Sequence, residues 1–178
     1  MKSEFKKPEP TNLNRDSVFR IAERVANQIG YKPGSDLYEL IDGIGGEIHL
    51  KDFWAEGSSE GGSLEVQDED DFSIFVPVDT SEVRDRFTIA HELGHYVLHY
   101  LWQIQVKKKP AFKLRASRYG SDRAEWEANW FASAFLMSGA EFKKLSDSYT
   151  LGQLSRHFRV SRKAAEIRAK ALNIDVDA

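Results

Sequence analysis

The sequence contains no cysteine, which excludes both a disulfide framework and a metal site built on thiolates. It has no apolar run approaching the ~18 residues that a membrane-spanning helix needs, and residues 1–7 lack the apolar core of a signal peptide. It also lacks a large excess of either sign of charge: the net charge is −3, which argues against a general nucleic-acid coat protein. These absences predict a cytoplasmic protein. Its 178 residues predict about one domain, which would bury roughly 70% of the surface of the unfolded chain.

The most informative feature that is present is the segment His91-Glu92-Leu93-Gly94-His95. On an α-helix its two imidazoles project from one face, close enough for both to bind one tetrahedral cation at about 2.0–2.1 Å. Glu92 is turned from His91 by about 100°, so it can stand beside such a metal and take a proton from the metal's water. The alternative interpretation is an amphipathic helix that merely carries two histidines.

The residues around this segment favour a helix. Thr80 or Ser81 can cap its N-terminus. Apolar side chains recur at helical spacing on one face, and they are Phe87, Ala90, Gly94, Val97, Leu98 and Leu101.

A catalytic zinc site needs a third protein ligand and an open position for water. The extended metzincin pattern would place Gly at 98 and His at 101, but this chain has Leu98 and Leu101, so that layout is excluded. The other layout takes a glutamate from a second helix downstream. Residues 122–137 have the apolar periodicity of such a helix.

Two glutamates in this second helix compete for the role of third ligand. Glu125 shares a face with the small or short side chains of residues 128, 129 and 132. Opposite Gly94, these neighbours would let two backbones approach closely enough to share a metal. Glu127 points elsewhere and is expected to be a solvated or salt-bridging carboxylate. Helical phase therefore favours Glu125.

At these residues the chain resembles the ImmA/IrrE family of zinc metallopeptidases. Residues 84–99 are similar to the family's RxRFTxAHELGHxxLH block, and residues 125–137 to its ExEANxFAxxLLMP block. One departure is Ser138, where the family usually has Pro, and we expect it to change only how the helix ends. The resemblance implies His91, His95 and Glu125 as metal ligands and Glu92 as catalytic base, in agreement with spacing and phase.

The resemblance also implies a function. It predicts a zinc-dependent endopeptidase that cleaves or inactivates an Xre-type helix-turn-helix repressor or antitoxin, in mobile-element induction, stress response or a toxin–antitoxin pair. Zn²⁺ is the expected cofactor, while Mn²⁺ or Fe²⁺ also suits a site of two histidines and one carboxylate. The alternative is a protein that binds a repressor without cleaving it, or a DNA-binding regulator, with a structural metal site. We expect no membrane partner and no direct DNA binding, and the sequence does not indicate the oligomeric state.

The predicted fold is α+β: a mostly helical, gluzincin-like metallopeptidase domain with a small antiparallel sheet and a C-terminal helical pair. Residues 1–14 are charged and contain two prolines, which predicts a flexible tail before a single domain at 15–174. The earlier elements are expected to be helices at 16–29 and after 35, a strand at 47–53, and a hairpin of strands at 62–67 and 72–78 around an acidic turn.

Two regions have both a functional and a structural interpretation. An extended peptide could add to the outer edge of the hairpin, over the metal, or the sheet could merely cover the metal helix. A basic loop joins the helix of His91 and His95 to the helix of Glu125, which we call the two metal helices. This loop could bind a substrate or simply be solvated. Its charged residues are Lys107, Lys108, Lys109, Lys113, Arg115 and Arg118.

Residues 151–172 resemble a helix-turn-helix, with residues 160–161 in the turn. We predict that this segment closes the core, because apolar side chains recur along it; they are Leu151, Leu154, Phe158, Val160, Ala164, Ile167 and Leu172. In a DNA-binding alternative its basic residues would contact phosphates; they are Arg156, Arg159, Arg162, Lys163 and Arg168.

The remaining histidines have weaker signals. His99 lies about 12 Å along the helix axis from His91, at ~1.5 Å per residue, so we expect it to support the ligands rather than share their metal. His157 could face the active site as a transition-state stabiliser, or could be a surface or packing residue. His49, in the predicted strand, has no functional signal.

Overall fold

A computed structural model describes residues 4–55, 62–117 and 122–177. The helices in these ranges are α1 (Arg15–Gln28), α2 (Leu37–Asp42), α3 (Glu82–His95), α4 (Trp102–Gln105), α5 (Arg123–Leu136), α6 (Gly139–Ser146), α7 (Leu151–Phe158) and α8 (Arg162–Ala171). A π-helical segment, Tyr96–Leu101, joins α3 to α4 without a break. The strands are β1 (Phe5–Lys6), β2 (Gly46–Lys51), β3 (Leu64–Asp68), β4 (Asp71–Pro77) and β5 (Lys113–Ala116). The predicted α+β class is confirmed. Over the described ranges, no helix has the length and apolarity needed to cross a membrane.

The strands of the described ranges form one sheet in the order β1-β5-β3-β4-β2. Alternate residues of β4, namely Phe72, Ile74 and Val76, are buried, as expected for a strand with one face on the core. β3 is antiparallel to β4 and β5, whereas β2 is parallel to β4 and β1 is parallel to β5. The sheet is therefore mixed rather than antiparallel: β2 runs in the same direction as β4 and β1 in the same direction as β5, and the alternation of apolar residues within a strand does not reveal its direction relative to a neighbour.

This order also decides one of the open alternatives. Each strand of the β3–β4 hairpin already has a second neighbour, β5 on one side and β2 on the other. The hairpin therefore has no outer edge, along the described strands, to which an extended peptide could add. Of the two alternatives for the hairpin, the described strands therefore favour the one in which it covers the metal helix, and the free edge on that side of the sheet belongs to β2.

Helix α1 confirms the helix predicted at 16–29. The Asn14 side chain caps it by accepting a hydrogen bond from the amide of Ser17 at 2.8 Å. Val18, Ala22 and Ala26 repeat every four residues and are buried on the side that packs against α5. α1 thereby supports the helix that carries Glu125.

Residues 5–14 differ from the predicted flexible tail. Strand β1 pairs with β5, and the amides of Thr11 and Asn12 each donate to the Glu127 carboxylate at 2.9 Å. Charge and proline content suggested flexibility because they do not reveal an acceptor that lies 115 to 116 residues away along the chain. This segment is therefore held against the helix that carries both glutamates.

Helices α3 and α5 pack against each other with closely spaced backbones. A Cβ on Gly94 would lie 3.0 Å from the Cβ of Phe131 and 3.2 Å from the Cα of Ala128. The predicted close approach opposite Gly94 is thus present. It lets side chains of both helices meet at one point.

The π-helical segment changes the phase of the helix after α3. An α-helical stripe predicts burial of Val97 and Leu101, but both are only partly buried. Tyr96, His99 and Tyr100 are buried instead. A π-helical turn contains an extra residue, so an α-helical period does not predict which side chains face inward after it.

The C-terminal helices α7 and α8 form the predicted pair. Thr150 begins α7 with a capping box, and Leu154 and Phe158 are fully buried against the rest of the core. Just before the pair, Ser138 accepts a hydrogen bond from the Glu141 amide at 3.3 Å and so begins α6. The residue that departs from the family pattern therefore acts as a helix cap.

Helix α8 buries a different side from the one its apolar residues predict. Ile167 is 52% exposed, whereas Arg168 is fully buried. The Arg168 guanidinium donates to the Met137 carbonyl and to the Glu23 carboxylate, both at 2.9 Å. A buried arginine needs such acceptors, which the local pattern cannot reveal. Arg168 is consequently not available to bind a DNA phosphate.

Candidate metal centre

Side chains from α3 and α5 converge at one point. His91 Nε2 lies 3.1 Å from Glu125 Oε2, and His95 Nε2 lies 3.0 Å from Glu125 Oε1. A candidate ligand atom from each of the three residues lies within 4.8 Å of the others. The structure thus brings together the residues that spacing and helical phase selected, with Glu125 rather than Glu127 as the carboxylate.

Asn129 orients the first histidine. Its Oδ1 lies 2.9 Å from His91 Nδ1. A proton on Nδ1 donates to this amide oxygen and leaves the lone pair of Nε2 directed toward Glu125. The sequence placed Asn129 on the Glu125 face of its helix but did not indicate this contact.

A chain of hydrogen bonds orients the second histidine. His95 Nδ1 lies 2.9 Å from His99 Nδ1, and His99 Nε2 lies 3.0 Å from Glu127 Oε2. Protons on His95 Nδ1 and His99 Nε2 satisfy both bonds and leave His95 Nε2 as an acceptor. His99 therefore supports the candidate ligand His95 by contacting its Nδ1, the ring nitrogen that faces away from the cluster. This is the supporting role expected for His99.

Glu127 ends this chain as a fully buried carboxylate. It accepts hydrogen bonds at 2.9 Å from the amide and hydroxyl of Thr11 and from the amide of Asn12, and it forms an ion pair with Arg123 at 3.2 Å. Burial acts to raise its pKa, but the donors, with His99 first among them, lower the pKa to about 2. The predicted salt bridge is present and the predicted solvation is not.

Glu92 has the opposite surroundings. It is 4% exposed, and its Oε2 has no hydrogen-bond partner among the described residues. Burial raises its pKa to about 7, against the opposing effects of His91 and of the Ser63 hydroxyl. The sequence did not indicate Ser63, because a hairpin strand brings it to α3 from outside the motif.

The three candidate ligands differ in their protonation. Burial lowers the pKa of His95 to about 4, which keeps this imidazole neutral. Burial also acts to lower the pKa of His91, but Glu125, Glu92 and Asn129 together outweigh burial and the pKa is raised. Burial acts to raise the pKa of Glu125, yet the two imidazoles hold it well below its usual range. The cluster thus combines an anionic carboxylate with two imidazole donors.

This arrangement fits a divalent metal ion. Ligands at about 2.0–2.2 Å from a tetrahedral ion lie roughly 3.4 Å apart, close to the separations of the Glu125 oxygens from the two imidazoles. The buried Nε2 of His95 has no partner with hydrogen-bond direction among the described residues, although Glu125 is near. An unshared lone pair of this kind suits a metal better than a proton donor. The side chains of His91 and Glu125 are 14% and 15% exposed, so the cluster has access to solvent.

The basic residues between the metal helices do not form one loop. Lys113 and Arg115 lie in strand β5, where Arg115 forms an ion pair with Glu65 at 2.9 Å. Lys109 forms an ion pair with Glu9 at 2.7 Å. Arg118 lies outside the described residues. The paired residues hold the N-terminal segment and the sheet together, which favours a structural role for them.

The remaining histidines lie apart from the cluster. His157 Nε2 is 2.7 Å from Glu141 Oε1, between α7 and α6, as expected of a packing histidine. His49 lies 3.1 Å from Glu47 on β2. Neither belongs to the group of candidate metal ligands found among the described residues.

Comparison with known proteins identifies the family. Residues 56–170 match the IrrE N-terminal-like domain, the family Peptidase_M78. No curated protein is similar enough to be matched to this chain. Among solved structures, a Mycobacterium tuberculosis transcriptional regulator has a TM-score of 0.54 at 20% identity; the match covers 84% of this chain and 45% of that one. The chain thus spans less than half of that protein, and the likeness shows a shared fold. Because the family match extends over most of its length and includes both metal helices, the chain belongs to the IrrE N-terminal-like peptidase family.

Proposed function

We propose that this protein is a zinc-dependent endopeptidase with His91, His95 and Glu125 as metal ligands and Glu92 as the catalytic base. The observation that carries the proposal is the buried Glu92 Oε2, which has no partner among the described residues. Burying a polar atom without a partner costs free energy. A purely structural metal site closes its fourth position and gains nothing from such a group, whereas a hydrolytic site requires it.

The chain's own residues divide the chemistry between them. Zinc held by the two imidazoles and Glu125 would supply a Lewis acid for peptide-bond hydrolysis. Glu92, buried beside the ligands with Oε2 unpaired among the described residues, takes a proton from the attacking water at Oε2 and returns it to the leaving amine. His99 and Asn129 hold the ligand imidazoles in one orientation through their Nδ1 atoms.

The proposed substrate is a cytoplasmic Xre-type helix-turn-helix repressor or antitoxin. Cleavage would relieve repression in a mobile element, a stress response or a toxin–antitoxin pair. Membership in the IrrE N-terminal-like family supports this proposal. We propose Zn²⁺ as the native metal, with Mn²⁺ and Fe²⁺ as the ions to test beside it.

The test is incubation of the purified protein with the Xre-type repressor encoded beside its gene. The reaction is run with a chelator, and then with Zn²⁺, Mn²⁺ or Fe²⁺ restored to the metal-free protein. Mass spectrometry of the products should reveal one new N-terminus that depends on the restored metal.

Two results would contradict the proposal. One is an intact repressor under every metal condition. The other is a stable complex with an uncleaved repressor, which would support the non-proteolytic alternative. A shift of repressor mobility on native gels, measured in parallel, separates these two results.

A further inference from the structure

Helices α1, α3, α5 and α8 enclose an apolar groove of about 890 Å³. Phe19, Phe87 and Trp130 line it together with Trp126 and Ile167, which are 53% and 52% exposed. Such a volume is in the range of ligand-binding clefts, and exposed large apolar side chains gathered in one place mark interaction surfaces. We call this feature the α1/α8 groove.

The charged side chains that line the α1/α8 groove are all basic in the described part of the chain. Among the described residues that line it, Arg15, Arg84, Lys163 and Lys170 are basic and none is acidic. Glu166, between the two lysines on α8, contacts both, at 3.4 Å and 2.8 Å. Arg15 and Arg84 have no carboxylate partner in the described ranges. The groove therefore has a basic rim that favours a partner with acidic residues beside its apolar ones.

The groove adjoins the candidate metal centre. Asn129 lines it and also contacts His91 Nδ1 at 2.9 Å. Phe87, another lining residue, precedes His91 by one helical turn on α3. A segment bound in the groove would therefore lie next to Asn129, which contacts the ligand imidazole of His91.

The surroundings decide what kind of segment fits. None of the residues that line the groove belongs to a strand, so the groove itself offers a bound peptide no strand edge in the described part of the chain. A groove between helices, with an apolar floor, suits an amphipathic helix that inserts side chains at i, i+3, i+4 and i+7.

We propose that the α1/α8 groove binds an acidic amphipathic helix of the protein substrate and holds that substrate beside the metal centre. The inference rests on the proposed function only in identifying the bound helix as part of a substrate; the binding itself does not require catalysis. A second copy of this chain is the competing occupant.

The probe is a displayed library of 16-residue helical peptides. Their core positions vary among apolar residues, and their flanking positions vary among Glu, Gln and Lys. The library is selected on the full-length Glu92→Gln variant, so that no bound peptide is cleaved. Affinities of selected peptides are then measured by fluorescence anisotropy at low and high salt.

Two variants and two matched controls locate the binding site. Ile167→Glu removes an apolar groove residue, and its control is Val106→Glu, because Val106 is 51% exposed but lies outside the groove. Arg84→Glu reverses a rim charge. Its control, Arg24→Glu, alters an exposed residue about 180° around α1 from Arg15. Circular dichroism verifies that each variant is folded.

Enrichment of Glu-flanked peptides is expected, with about tenfold or greater loss of affinity in Ile167→Glu and Arg84→Glu and none in the controls. Salt should weaken binding. Enrichment of Lys-flanked peptides, no enrichment, or equal loss in the controls would overturn the inference. So would a dimer in sedimentation that Ile167→Glu abolishes, because the groove would then bind a second copy.

The failure of this inference can be told from failure of the proposed function. Repressor cleavage that Ile167→Glu leaves unchanged would sink the groove's role while the peptidase stands. Groove-dependent peptide binding by a protein that cleaves no repressor would support the groove's role and contradict the proposed peptidase function.

Discussion

Two buried glutamates on the metal helices have opposite protonation behaviour. Glu127 is surrounded by donors that lower its pKa to about 2, so it remains an anion that anchors His99. Glu92 is also buried but lacks a partner for Oε2 among the described residues, and burial raises its pKa to about 7. Divergent surroundings of this kind separate a structural carboxylate from one that exchanges protons near neutral pH.

Replacing Glu92 by Gln should abolish hydrolysis and leave metal binding intact. The amide is nearly the same size as the carboxylate but cannot accept the water's proton, and loss of a general base typically costs about 10²–10⁴-fold in rate. The measurement is cleavage rate at equal zinc occupancy, with the exposed Glu47→Gln as control. Comparable rates for wild type and Glu92→Gln would show that Glu92 is not the base.

Replacing Glu127 by Gln should destabilise the protein near neutral pH, by about 1–3 kcal/mol, because buried donors lose a charged acceptor. The folded-state pKa lies below the ordinary value of 4.5. Ionised Glu127 therefore contributes its full stabilisation of the folded protein above about pH 4.5, and this contribution is lost as the pH falls toward 2.

Urea unfolding of wild type and Glu127→Gln from about pH 7 to about pH 3 tests this sign. The difference in the free energy of unfolding between wild type and Glu127→Gln should shrink as the pH falls below the ordinary pKa of Glu127. Glu65→Gln, in the partly exposed pair with Arg115, is the matched control. A difference that stayed constant or grew toward acid pH would contradict the assignment.

Sequence reasoning went further with the ligands than with their supports. The candidate ligands followed from spacing on α3 and phase on α5, because a helix converts sequence intervals directly into directions. The burial of Glu127 did not follow, since its donors Thr11 and Asn12 come from a segment that looked flexible. Its partner His99 lies within the same helical stretch as the ligands and could be assigned a supporting role.

The α3–α5 pair sets the distance between the imidazoles and Glu125. At Gly94 the two helices approach closely, because a Cβ there would lie 3.0 Å from the Cβ of Phe131 and 3.2 Å from the Cα of Ala128. The role of Gly94 could be predicted from the sequence, because it lies between His91 and His95 and a third ligand requires a second helix close to that segment. The π-helical segment after α3 was not, because its extra residue leaves no mark in an α-helical apolar period.

Gly94→Ala should therefore weaken both stability and metal binding. The new Cβ would lie 3.2 Å from the backbone of Ala128, which can yield only if the helices separate. Overpacking costs about 1–3 kcal/mol, against ~1 kcal/mol gained from the helix propensity of alanine. Separation would also move Glu125 away from the imidazoles.

Thermal unfolding with and without zinc tests the effect of Gly94→Ala. Gly152→Ala is the matched control, because the nearest atom to its new Cβ lies 3.8 Å away and α7 would gain helix propensity. A Gly94→Ala protein as stable as wild type, with unchanged zinc affinity, would show that close approach does not set the site geometry.

The molecule is closed by its C-terminal helices, which contact it through buried side chains and one partly buried ion pair. Phe158 stacks on Phe142 of α6 at 5.6 Å between ring centroids, and Arg168 reaches Glu23 of α1. The apolar pattern predicted this closure correctly for α7. It failed for α8, where Arg168, held by the Met137 carbonyl and the Glu23 carboxylate, replaces Ile167 on the buried side and leaves Ile167 in the α1/α8 groove.

Loss of this closure should unfold the peptidase core rather than release a DNA-binding module. Phe158→Ala removes a fully buried ring and should cost about 3–5 kcal/mol, and deletion of residues 151–177 should cost more. Ile167→Ala, at an exposed position on α8, is the control and should change stability by less than about 0.5 kcal/mol.

The full chain should show no steep salt-dependent affinity for duplex DNA, because Arg168 is buried and Arg159 is paired with Glu82. A truncated chain that stays folded and binds zinc, together with DNA binding by the full chain, would overturn this assignment and indicate a DNA-tethered protease.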